Sequence, residues 1–139
     1  MAYFLDTNIF LYAAGGDHLL RQPCQHILRR VAEGDLNGTT SSEVVQEVLY
    51  ALTRRGLRSQ ALSLARNILA VFPALLEVGA AEMEAACDLL ESMPELPPRD
   101  AVHAATMLTH GITAIITADT HFDQLTQLKR IAPDGVIQD

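Results

Sequence analysis

The sequence predicts an α/β fold of three layers, a central parallel sheet with helices on both sides. Three observations predict it. Short apolar runs at 2–6 and 112–117, rich in aromatic or β-branched residues, suit strands buried on both faces of a sheet. Amphipathic helical segments separate such runs, and strands that alternate with helices pair in parallel. Asp6 ends the first run and Asp119 stands just past the second, at the carboxyl edge where open α/β sheets bind ligands.

The elements follow in order. A first strand near 2–6 leads into a helix from about Ile9, which breaks at Gly15-Gly16. The second helix spans 19–33, with Pro23 early enough to be tolerated. Asn37-Gly38 marks a turn, and Thr39-Thr40 is a short strand. The third helix, 43–55, stops at Gly56, a favoured residue just past a helix end. The fourth covers 59–71 and ends before Pro73, and Leu75–Val78 reads as a strand. The fifth, 80–92, precedes Pro94, Pro97 and Pro98. Pro98 opens the sixth, which runs to His110 and stops at Gly111. After the 112–117 strand come a short helix at 120–127 and a weak strand at 136–137.

At 139 residues the chain suits one domain over 1–139, large enough for a real core. Hydrophobic content of 49% with 19% charged is ordinary globular composition. No apolar run approaches the ~20 residues of a membrane span. No basic flank or small-residue cleavage site marks a secretory signal, so a cytoplasmic protein is expected. Cys24 and Cys87 lack metal spacing and read as small core residues of a reducing compartment. A net charge of −7 argues against nucleic acid in bulk. Local patches matter more, and Arg54, Arg55 and Arg58 form one basic cluster.

Acids gather near the carboxyl edge: Asp6, then Glu43 and Glu47 on the third helix, and Asp119 with Asp123; Asp100 joins them only if its helix packs with its N-terminus toward that edge. Each has a bland reading. Asp6 can cap a helix, Asp100 can favour a helix macrodipole, and Asp119 can open an Asx turn. Periodicity puts Glu43 and Glu47 opposite the stripe Val44, Val45, Val48, Leu49 and Leu52, on a solvated face. Jointly, carboxylates converging with almost no lysine would repel one another and raise their pKa values. A hard divalent cation such as Mg²⁺ or Mn²⁺ removes that conflict. Such a cluster suits metal-assisted attack on a phosphodiester. His103 falls on the more polar side of the sixth helix, and His121 reads as a surface residue or one behind the ligands. No Gly-x-Ser-x-Gly elbow or phosphate-cradling glycine loop occurs.

Four segments together resemble the PIN-domain family, and more narrowly the VapC-type toxins of toxin–antitoxin pairs. They are Phe4-Leu5-Asp6-Thr7-Asn8, Ser41 through Tyr50, Arg99 through Ala105, and Ile116 through Phe122. The resemblance covers nearly the whole chain, to Leu125–Pro133. It implies a Mg²⁺- or Mn²⁺-dependent endoribonuclease that hydrolyses RNA by metal-activated water, with an antitoxin partner and a homodimeric state. It makes Asp6, Glu47, Asp100 and Asp119 the metal-binding acids. Glu47 is preferred to Glu43 because the family's glutamate precedes a Leu-Tyr-like pair, here Leu49-Tyr50. Asn8 and Thr117 would orient the acids, and Arg54, Arg55 and Arg58 are candidates for RNA-backbone contacts.

One position departs from the pattern: His121 stands where many relatives carry a further acid, and Asp123 is the candidate substitute. Two alternatives remain. A catalytically silent module would keep the fold but bind no metal. A phospho-acceptor receiver-like domain needs a lysine at a strand end near the acids, and the sole lysine, Lys129, lies late in the chain.

Overall fold

A computed structural model of the chain describes residues 1–136. The elements are β1 (Tyr3–Leu5), α1 (Thr7–Ala14), α2 (Arg21–Ala32), β2 (Gly38–Thr39), α3 (Ser42–Arg54), α4 (Arg58–Val71), α5 (Ala80–Ser92), α6 (Pro98–Thr109), β3 (Ala114–Ile116), β4 (Lys129–Ile131) and α7 (Pro133–Val136). A short 3-10 helix, Thr120–Gln124, lies between β3 and β4. The strands form one parallel sheet in the order β2-β1-β3-β4. Tyr3 pairs with both Gly38 and Ala114, and Ile116 pairs with Ile131.

Successive residues of a strand point to opposite faces. Phe4 and Leu5 of β1 are both fully buried, as are Ile115 and Ile116 of β3. Both faces of the sheet are therefore covered, which is the three-layer arrangement the apolar runs imply. Gly38 permits the close approach of α2, because a Cβ there would lie 2.7 Å from Val31 Cγ2. Gly56, at φ +78, ends α3 in the left-handed region that glycine adopts readily.

Connectivity matters most for function. From β1 the chain crosses to β2 on one side, then returns to place β3 on the other side of β1. The direction of winding switches between β1 and β3, and open α/β sheets bind ligands outside the carboxyl ends of strands at such a point. The two strand exits are tied there: the Asp6 amide donates to the Ile116 carbonyl at 3.2 Å.

Several expectations are corrected. Leu75–Val78 forms no strand; a lone bridge joins Ser41 and Leu76, with amide bonds from Leu76 to Thr40 O at 3.0 Å and from Ser42 to Leu76 O at 2.9 Å. The short helix ends at Gln124 rather than 127. Val136 closes α7 instead of opening a strand, and Ile137 lies outside the described residues. Strand β4 has no sequence signal, being three residues with an exposed lysine and a half-buried arginine at the sheet's edge. Cys24 is buried, its thiol pushed by burial to a pKa of about 12, but Cys87 is exposed on α5. Lys129 opens β4 opposite Ala114, the first residue of β3. It therefore sits at the amino edge of the sheet, away from the acids, where a receiver-like site has no use for it. Among the described residues, no helix is long and apolar enough to cross a membrane.

Candidate active site

The site grows from the first turn after β1. Asp6 caps α1, its Oδ1 accepting from the Thr7 amide at 2.7 Å. Its Oδ2 accepts from the Thr117 hydroxyl at 2.7 Å and from Asn8 Nδ2 at 3.3 Å. Asn8 also donates to Thr117 Oγ1 at 2.9 Å, and its Oδ1 accepts from the Ala118 amide at 3.3 Å. The Asp119 amide donates to the same threonine oxygen at 3.0 Å. Capping and site-building are thus one arrangement, in which Asn8 and Thr117 both donate to the Asp6 carboxylate.

Glu47 contradicts the periodicity of its helix, which places it in solvent. It is 8% exposed, almost as buried as Val44, Val48 and Leu52. A single apolar stripe describes a helix covered on one side only. Here α6 brings His103 to a second side of α3, and its Nε2 lies 2.7 Å from Glu47 Oε1. The Thr7 hydroxyl bonds the same carboxylate oxygen. Glu43 is half-buried and lines the same cleft.

His103 is the residue that sequence reasoning missed. It is fully buried, not on a polar face, and its Nε2 also lies 3.7 Å from Asp6 Oδ1. The available signal was its place three residues after Asp100, which puts both on one helix face. Burial opposes its charge. The Glu47 hydrogen bond and the charges of Asp6, Glu47 and Asp100 outweigh that, raising its pKa above the ordinary histidine value.

Asp100, in the first turn of α6, is 5% exposed. Its pKa is raised to about 6, first by burial and then by the charges of Asp119 and Asp6. Burial likewise raises the Asp6 pKa, against the pull of His103, Thr117 and the Thr7 amide. Asp119 caps the 3-10 helix by accepting from the His121 amide at 2.9 Å. The His121 ring returns to the same carboxylate, with Nδ1 2.7 Å from Asp119 Oδ1 and 3.5 Å from Asp100 Oδ2.

Asp6, Glu47, Asp100 and Asp119 all line one cleft of about 740 Å³. The other predicted residues divide between the cleft and its surroundings. Both Asp123 oxygens are engaged by Arg130, at 2.8 and 3.2 Å, outside the cleft. Arg54 lines the cleft, 5.9 Å from the Tyr50 ring centroid and bonded to its hydroxyl at 3.2 Å. Arg55 lines a separate groove of about 330 Å³ with Leu11, Leu52 and Leu57. Arg58 is exposed at the start of α4 and lines neither. Arg99, not foreseen, stands at the cleft with Nε 3.7 Å from Glu47 Oε2.

The donor set suits a hard cation. The carboxylates fall into two adjacent groups able to hold an ion, Asp6–Glu47–His103 and Asp100–Asp119–His121. Glu47 Oε2 is buried and has no hydrogen-bond partner, an arrangement that costs free energy unless something else satisfies it. Burial, with neighbouring carboxylates adding to it, raises the Asp6 and Asp100 pKa values, a conflict that Mg²⁺ or Mn²⁺ would relieve.

Several known proteins are similar to this chain. Ribonuclease VapC7 of Mycobacterium tuberculosis is 34% identical over 135 residues, covering 94% of this chain and 91% of its own length. Ribonuclease VapC23 of the same species is 38% identical over 119 residues, 84% of this chain and 91% of its own. The crystal structure of M. tuberculosis VapC20, a Sarcin-Ricin loop cleaving toxin, superposes with a TM-score of 0.74 at 22% identity, over 91% of this chain and 95% of that one. VapBC2 from Rickettsia felis, bound to a promoter DNA fragment, gives 0.73 at 21% identity, over 95% and 98%. At these identities the structures establish the fold. The sequence profile described as PIN domain matches residues 3–128, and the chain belongs to the PIN domain family.

Proposed function

We propose that the protein is a Mg²⁺- or Mn²⁺-dependent endoribonuclease and the toxin of a toxin–antitoxin pair, acting in the cytoplasm. The observation that carries this reading is the convergence of Asp6, Glu47, Asp100 and Asp119 on one cleft at the switch point of the sheet. Relatives named as VapC ribonucleases support the activity, and neighbours solved as toxin–antitoxin complexes support the partner.

Asp6, Glu47, Asp100 and Asp119 would hold the ion. When bound, it supplies an acidified water and charge stabilisation at the phosphoryl oxygens. The remaining work falls to the protein. Thr7, Asn8 and Thr117 fix the Asp6 oxygens, while Thr7 and His103 fix Glu47 Oε1 and leave Oε2 turned to a further partner. Arg54 and Arg99 at the cleft would meet the RNA backbone, whose charge the four acids otherwise repel. Tyr50, 57% exposed, offers a face for an unstacked base. An antitoxin would silence the site by placing a basic side chain among the acids, and the working unit is a homodimer.

The test is Asp6→Asn, which keeps the side chain's shape and removes its charge. RNA cleavage in Mg²⁺ is expected to fall about 100-fold or more, the scale of losing one preorganised charge contact. Cleavage at the wild-type rate overturns the proposal.

A further inference from the structure

Two carboxylates and one imidazole converge beyond β3. His121 Nδ1 lies 2.7 Å from Asp119 Oδ1 and 3.5 Å from Asp100 Oδ2. The Asp100, Asp119 and His121 donor atoms all fall within 4.8 Å of one another, close enough to share one ion. The backbone fixes this. Asp119 caps the 3-10 helix that carries His121, and both the amide and the ring of His121 meet Asp119 Oδ1. The second Asp119 oxygen is left for another partner. Asp123 supplies no oxygen here, because Arg130 takes both of its oxygens. A second observation comes from the same cleft: the neighbouring Glu47 Oε2 is buried and has no hydrogen bond, with only the exposed Arg99 guanidinium 3.7 Å away.

The chemistry of this group differs from that of an all-carboxylate site. Mg²⁺ favours oxygen donors and keeps several waters in near-ideal octahedral geometry. First-row transition ions accept imidazole nitrogen readily, and Mn²⁺ accepts carboxylate oxygen as well. Resting on the metal-dependent reading above, we infer that Asp100, Asp119 and His121 form a mixed carboxylate–imidazole cation site in which His121 shifts the chain's preference from Mg²⁺ toward Mn²⁺. His121 is 55% exposed at its side chain, so it can turn toward an ion without disturbing the core.

The test is calorimetric titration of the full chain with Mn²⁺ and with Mg²⁺, in wild type and in His121→Asp and His121→Asn. Wild type should bind Mn²⁺ at least about tenfold more tightly than Mg²⁺, the scale on which one ligand group alters metal affinity. His121→Asp should bring the two ions within about threefold, by gaining Mg²⁺ affinity and losing Mn²⁺ affinity. His121→Asn should lose Mn²⁺ affinity and leave Mg²⁺ affinity unchanged. Electron spin echo modulation of the Mn²⁺-loaded protein should show a ¹⁴N coupling that both variants lose. A coupling that persists in both variants assigns the nitrogen to another residue, His103 being adjacent, and overturns this inference while metal dependence stands. Absence of any divalent-ion binding overturns this inference and the metal-dependent reading together.

Discussion

Asp100→Asn should make the metal-free protein more stable and the metal-loaded protein less so. The Asp100 pKa moves from 3.8 to about 6 on folding, because burial and the charges of Asp119 and Asp6 disfavour its carboxylate. An acid with a raised folded pKa destabilises the native state as pH rises. The penalty is absent below about pH 4, grows between 3.8 and about 6, and is full above that. A change from 3.8 to about 6 corresponds to about 3 kcal/mol at most, at ~1.36 kcal/mol per tenfold change in acidity. Asparagine keeps some desolvation cost, so a gain of about 1–3 kcal/mol is expected at pH 8 in EDTA. For a chain of this length that is a rise in Tm of roughly 3–10 °C. The assay is thermal unfolding by circular dichroism at pH 4.5 and pH 8, with EDTA and with Mn²⁺. The variant should gain at pH 8 in EDTA and little at pH 4.5. With saturating Mn²⁺ the wild type should rise by mass action and the variant should not. A variant that melts lower than wild type at pH 8 in EDTA refutes the electrostatic reasoning.

The other predictions concern the same network and the fold beneath it. His103 has a raised folded pKa, so its stabilising contribution is full below about pH 6.5 and is lost as pH climbs through the folded value. His103→Gln should therefore lower Tm in EDTA at pH 6 and matter less at pH 9, as unfolding at the two values will show. Thr117→Val removes the hydroxyl that ties Asp6, Asn8 and the Asp119 amide; cleavage should drop about tenfold or more while the fold persists, read by single-turnover kinetics and circular dichroism. Arg54→Ala should weaken RNA binding and reduce the slope of log affinity against log salt by about one, measured by fluorescence anisotropy. Phe4→Ala empties a fully buried site in the central strand and should cost about 3–5 kcal/mol by urea unfolding.

The fold was legible where the physics is local. Phe4-Leu5 and Ile115-Ile116 are continuous apolar pairs because both faces of β1 and β3 are buried. Pro98 and Gly56 mark helix ends through their backbone constraints alone. The acids after β1 and β3 were legible because strand direction in a parallel sheet puts them on one edge. Glu47 was not, because helical periodicity reports one packed side while α3 is covered on two. His103 was hidden for the same reason: its partners, Glu47 and Asp6, are 56 and 97 positions away in the chain. Strand β4 was hidden because an edge strand of three residues is defined by its partner β3, not by its own pattern. The local rule failed at Glu47, which is buried and lines the cleft, as functional sites often require.

The central claim is that these carboxylates act through a divalent ion on RNA. The direct measurement is cleavage of total bacterial RNA by the purified chain, with new 5′ ends mapped by sequencing, in Mg²⁺, in Mn²⁺ and in excess EDTA. Cleavage at discrete sites with either ion, abolished by EDTA and restored when the ion is returned, is the predicted result. Cleavage that continues undiminished in EDTA contradicts the account.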